Sequence, residues 1–153
     1  MSKLEVGDEA PLFTAKDQSG NEISLKKLRG KKVILYFYPK DDTPGCTAES
    51  CDFRDNYSSL LEKGFEVVGV SADSQKSHQK FIEKFQLPFP LISDTEKDVL
   101  NLYSVWGEKK FMGRTYEGIL RTTFVIDENG IILERIDKVK TKEPTKQVLD
   151  LIK

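Results

Sequence analysis

The 153-residue sequence predicts an α/β fold, a mixed central sheet flanked by helices. Three observations carry this reading. The runs KKVILYFY (31–38) and FEVVGVSA (65–72) are almost continuously apolar and rich in β-branched and aromatic residues, as strands buried on both faces are. A helical stretch separates them, and a strand–helix–strand unit places its two strands parallel. Further on, RTTFVIDENGIILERI (121–136) reads as two strands joined across Glu128, Asn129 and Gly130, so this pair is antiparallel and the sheet is mixed.

The remaining elements follow in chain order. LFTAKDQSGNEISL (12–25) reads as a small hairpin around a Gln-Ser-Gly-Asn turn. After the first buried strand ends at Pro39, a helix is expected from about Pro44 to Lys63. It stops before Gly64, a residue suited to the left-handed position beyond a helix end. At about 100° per residue, Phe53, Tyr57, Leu60 and Leu61 fall within roughly 60° of Cys46. That stripe should face the sheet, with Cys46 half hidden at its edge. SQKSHQKFIEKFQ (74–86) reads as a second helix stopped by Leu87-Pro88, FPLISD (89–94) as a short strand, and EKDVLNLYSV (96–105) as a third helix. GEKKFMGRTYEGIL (107–120) has no clean period and reads as a long loop, and PTKQVLDLIK (144–153) closes the chain as a helix. Without repeats, low-complexity segments or a linker, residues 1–153 are expected to form one domain.

Composition narrows the function. The 24 basic and 25 acidic side chains nearly cancel and form no basic stripe, so electrostatics gives no reason to propose nucleic acid or a membrane surface as partner. MSKLEVGDEAPLF lacks the apolar core of a secretory signal. The longest apolar stretch, Val33 to Tyr38, is far too short to cross a bilayer. The expected compartment is the cytoplasm, where thiols stay reduced.

In that setting the chain's two cysteines, Cys46 and Cys51 in YPKDDTPGCTAESCDF, are inert, metal-binding or redox-active rather than a structural bridge. A zinc site takes four ligands at recognisable spacing. The only histidine, His78, lies in the next helix among Lys, Gln and Ser and reads as a solvated position, so neither metal nor cofactor is expected. Thr43 suits the N-cap and Pro44 the first helical position, which makes Cys46 the third residue of the helix. There the unpaired first-turn N–H groups and the positive end of the macrodipole favour a thiolate. The alternative is a small buried apolar residue that happens to fall at a helix start. In an intact helix the Cα atoms of Cys46 and Cys51 stand about 8–9 Å apart, whereas a disulfide requires less than about 7 Å. Pairing them would require the helix to open, which favours transient redox chemistry over a permanent bridge.

YFYPKDDTPGCTAESCDFRDNY resembles the active-site segment of the peroxiredoxins, most closely the bacterioferritin comigratory protein or Q-type branch. VWGEKKFMGRTYEGILRTTFVID resembles a second signature of that branch. The likeness runs from GDEAPLF to the final helix. It implies a thioredoxin-like fold with an added N-terminal hairpin. It implies a thiol peroxidase acting on hydrogen peroxide and organic hydroperoxides, recycled by thioredoxin or a similar dithiol reductant, and commonly monomeric. By the same resemblance Cys46 matches the peroxidatic cysteine and Cys51 the resolving cysteine. Thr43 matches the threonine whose hydroxyl contacts peroxide and thiolate, and Arg121 the arginine that holds its charge near the sulfur. Glu49, three residues after Cys46, either fixes the Arg121 guanidinium through a bidentate contact or is an ordinary first-turn acid. Trp106 and Tyr116 read as packing residues. Lys109, Lys110 and Arg114 read as a solvated cluster, with an acidic reductase surface as the alternative partner.

Two other classes remain open to the sequence. A thioredoxin-type disulfide reductase would use Cys-x-x-Cys, but the spacing here is longer by two residues. A peroxide-sensing module would share Cys46 without needing efficient recycling.

Overall fold

The computed structural model describes residues 3–152. Strands β1 (Thr14–Lys16) and β2 (Glu22–Ser24) form an antiparallel hairpin. Its turn is closed by the Asp17 carboxylate, which accepts from the N–H groups of Ser19 and Asn21. The chain continues through β3 (Lys32–Phe37), α1 (Pro44–Asp55), α2 (Tyr57–Glu62), β4 (Phe65–Ser71), α3 (Gln75–Phe85), β5 (Leu91–Ser93) and α4 (Asp98–Leu102). It ends with β6 (Trp106–Phe111), β7 (Arg114–Ile119), β8 (Thr122–Ile126), β9 (Ile132–Ile136) and α5 (Pro144–Leu151). The central sheet runs β5-β4-β3-β8-β9, with β3, β4 and β5 parallel and β8 and β9 antiparallel, so it is mixed as expected.

The apolar strands are buried on both faces. Val33, Leu35 and Phe37 of β3 pack into one core with Phe13, Leu25, Val99 and Leu100 from the hairpin side and α4. Ile34, Tyr36 and Tyr38 pack into the other with Cys46, Phe53, Leu60, Phe81 and Val148 from α1, α2, α3 and α5. Gly69 in β4 makes room for this second layer: a Cβ there would lie 2.9 Å from the Tyr36 ring and 2.7 Å from Leu91.

Four expectations are corrected. The helix from Pro44 to Lys63 is two helices, broken at Asn56 (φ −106°, ψ 5°), whose side-chain amide donates back to the Asp52 carbonyl and competes with the helical ladder. The break turns α2, so Leu61 is 42% exposed instead of facing the sheet; Gly64 does take the left-handed conformation (φ +84°). The third helix covers only Asp98–Leu102, two residues at its start and three at its end lying in turns or irregular chain. The segment 107–120 is not a loop but most of the β6–β7 hairpin, reversed at Met112 and Gly113, both at positive φ (51° and 77°).

Candidate active site

The first turn of α1 lies where β3 ends and β8 begins. Pro44 occupies the first helical position and Thr43 the N-cap, in extended conformation (φ −102°, ψ 156°). The Thr43 hydroxyl does not cap the helix. It donates to the Lys40 carbonyl (2.9 Å), which leaves its oxygen lone pairs as acceptors. The buried face of α1 is Cys46, Glu49, Ser50 and Phe53, an i, i+3, i+4, i+7 set in which two members are polar.

Each of those polar members has a partner. Arg121, the residue before β8, donates through Nη2 to Cys46 Sγ (3.1 Å) and through Nη1 to Glu49 Oε1 (2.6 Å). A guanidinium that spans a sulfur and a carboxylate stabilises negative charge on the sulfur and is itself held in place. Burial works against the Arg121 charge, but Glu49 and the Cys46 sulfur outweigh it and raise its pKa further. Burial pushes the Glu49 carboxyl up from near 4.5 to about 7, opposed by Arg121. Glu49 makes this contact with one oxygen only; Oε2 is buried without a partner among the described residues, so the bidentate arrangement is not formed. Gly45 permits the close approach, since a Cβ there would sit 3.3 Å from Arg121 Nη2. Ser50 Oγ meets the Tyr36 hydroxyl at 2.8 Å, and burial holds that phenol well above its ordinary pKa, as a neutral partner.

Cys46 is fully buried rather than half hidden. Cys51 lies further along the same unbroken helix, partly exposed, with its thiol pushed up by burial, and both cysteines are free. Lys109 in β6 reaches toward the site. Its ammonium donates to the Ile119 carbonyl (2.9 Å), and its pKa is lowered by burial and by the Arg121 charge. Trp106 packs against the core with Lys97 over its ring at 4.9 Å, whereas Tyr116, expected to pack, is 47% exposed.

The structure departs most from the sequence reading at His78, which is 0% exposed, not solvated. Its Nδ1 lies 2.7 Å from Asp41 Oδ2 and its Nε2 2.9 Å from the Ile92 carbonyl. Asp41 also accepts from Tyr38 (2.6 Å) and Ser77 (2.7 Å). The signal was present: His78, Phe81, Ile82 and Phe85 share one helix face. Asp41, Asp73 and His78 place ligand-type atoms within 4.8 Å of one another, but those atoms are engaged by these hydrogen bonds and by Ser71.

A cysteine in the first turn of a helix, with an arginine nitrogen on its sulfur, is in the electropositive setting that favours a thiolate nucleophile. The AhpC/TSA family pattern matches residues 6–135. The chain belongs to this family, the peroxiredoxins. Peroxiredoxins are oxidoreductases that reduce peroxides with a cysteine thiol, and this chain is a thiol-dependent peroxidase. Peroxiredoxin Bcp of Bacillus subtilis is 44% identical over 150 residues, covering 98% of this chain and 96% of that protein. A cysteine-to-serine mutant of Xylella fastidiosa PrxQ superposes with a TM-score of 0.91 at 30% identity, covering 98% of this chain and 96% of that one. The bacterioferritin comigratory protein of Xanthomonas campestris, whose structures bear on its alkyl peroxide reduction activity, gives a TM-score of 0.86 at 32% identity over 95% and 97% of the two chains. The thioredoxin-like peroxiredoxin fold is thus shared across essentially the full length. Among the described residues no helix is long and apolar enough to cross a membrane.

Proposed function

We propose that Cys46 is the attacking sulfur, Cys51 the resolving thiol, and Thr43 and Arg121 the groups that bind and polarise the peroxide. The observation that carries this is the Arg121 bridge, with one guanidinium nitrogen 3.1 Å from Cys46 Sγ. The Cys46 thiolate attacks the terminal oxygen of a hydroperoxide. The O–O bond breaks, the sulfur is oxidised to sulfenic acid, and an alcohol or water leaves after taking up a proton. The Thr43 oxygen accepts from the peroxide O–H because its own hydrogen is committed to Lys40. Arg121 stabilises the charge passing from sulfur to the leaving oxygen. Pro44, on the outer side of the turn, limits water access to the sulfur.

The Cys51 thiol then attacks the Cys46 sulfenic sulfur, forming the S–S bond and releasing water. A dithiol of the thioredoxin class reduces the disulfide and is itself oxidised. Because α1 contains both cysteines, about 8–9 Å apart along a regular helix, the second step proceeds only after α1 opens locally. The substrates are hydrogen peroxide and organic hydroperoxides. Residues 1–153 act as one cytoplasmic domain and as a monomer.

Turnover coupled to NADPH through thioredoxin and its reductase tests the assignment. Cys46→Ser abolishes peroxide consumption. Cys51→Ser reacts once and leaves a sulfenic acid that a dimedone-type reagent traps. Retained turnover in Cys46→Ser, with loss of the single reaction in Cys51→Ser, would exchange the two roles.

A further inference from the structure

The hydrogen-bonded cluster around His78 lies outside the sulfur site but holds the loop that leads into it. Residues 38–43 connect β3 to α1, and two of them are tied down. Tyr38 donates to Asp41, the Asp41 N–H donates to Asp73 Oδ2 (2.9 Å), and the Asp41 carboxylate takes Ser77 and His78 from α3. Both ring nitrogens of His78 face acceptors, Asp41 on one side and the Ile92 carbonyl of β5 on the other. Asp41 and His78 are 7% and 0% exposed, so these bonds are made away from bulk water, where an unpaired polar group is costly. The next residue, Asp42, is held at a positive φ of 56°.

The consequence falls on Thr43. Its hydroxyl is oriented by the Lys40 carbonyl, which belongs to the same pinned loop. From this we infer that the Asp41–His78 pair positions the Thr43 hydroxyl, and so sets how well the site receives the peroxide O–H. His78 is a positioning residue, acting through Asp41 and the Lys40 carbonyl without touching substrate. This rests on the role assigned to Thr43 above, and the test separates the two.

The test measures the second-order rate of Cys46 oxidation by hydrogen peroxide, in single turnover, for His78→Gln, Thr43→Val and the double variant. Circular dichroism confirms that each is folded. Thr43→Val is expected to slow the reaction about tenfold or more, and His78→Gln about tenfold. The double variant is expected within about twofold of Thr43→Val, since a residue that acts through Thr43 has nothing left to act on. Losses that multiply in the double variant, or a wild-type rate in His78→Gln, overturn the role of His78 and leave Thr43 in place. A wild-type rate in Thr43→Val overturns both. Should His78→Gln fail to fold, Ser77→Ala removes a single bond to Asp41. A loss of about threefold, absorbed in the Thr43→Val background, is then expected, and a multiplicative loss or none overturns the proposal.

Discussion

Replacing Glu49 with glutamine should flatten part of the pH dependence of stability. The Glu49 carboxyl is fully buried with one oxygen on Arg121 and the other unpartnered among the described residues, and burial raises its pKa from near 4.5 to about 7. The folded protein therefore holds this proton more tightly than the unfolded chain. Between those two values it binds more protons, and stability falls as pH rises. The contribution is fully present below about pH 4.5, declines through the window, and is gone above about pH 7. At about 1.36 kcal/mol per pH unit, the window corresponds to about 3 kcal/mol. Glutamine has the same shape, can accept from Arg121 and does not titrate. Urea unfolding of wild type and Glu49→Gln, both reduced, from pH 5 to pH 8 isolates the effect, because the other groups largely cancel in the difference. The difference should move by about 2–3 kcal/mol in favour of Glu49→Gln as pH rises. A difference constant to within about 0.5 kcal/mol would mean that Arg121 holds Glu49 ionised throughout and that burial does not dominate there.

Two further outcomes follow from the same contacts. Arg121→Ala removes a charged donor from the sulfur and should lower the single-turnover rate with peroxide by about 10²–10³, equivalent to about 2.7–4 kcal/mol; a folded variant within threefold of wild type would refute that role. Tyr36→Phe strands the buried Ser50 hydroxyl in the closed helix but not in the opened one. Opening should become easier by about 1–2 kcal/mol, and disulfide formation after a peroxide pulse faster by roughly five- to thirtyfold; slower formation would place the Tyr36 bond outside the opening step.

What could be read from the sequence followed the range of the interactions involved. β3 and β4 were legible because both their faces are apolar, and the start of α1 because Thr43 and Pro44 are local signals. The β6–β7 hairpin was not, because most of its residues face water and no alternation marks an inner face. The only local trace is Met112-Gly113, a two-residue reversal. Asn56 broke a helix whose apolar spacing continued past it, because a side-chain amide bonded to the backbone is invisible to periodicity. The Arg121–Cys46 contact joins residues 75 apart, which no spacing pattern can reveal, and the pairing was anticipated through family resemblance alone. His78 was misread from its polar neighbours in sequence, although its helix face is shared with Phe81 and Phe85. The partner that satisfies it, Asp41, comes from 37 residues away.

In the proposed mechanism one helix serves two incompatible needs: closed, it holds Cys46 against Arg121, and open, it lets Cys51 reach Cys46. Amide hydrogen exchange across residues 45–53, in the reduced protein and in the disulfide form verified by mass, tests this most directly. Strong protection in the reduced state is expected to collapse on oxidation, while β3 and β8 stay protected in both. Equal protection of 45–53 in the two states would rule out this two-state helix, because the disulfide would then have formed without the helix opening.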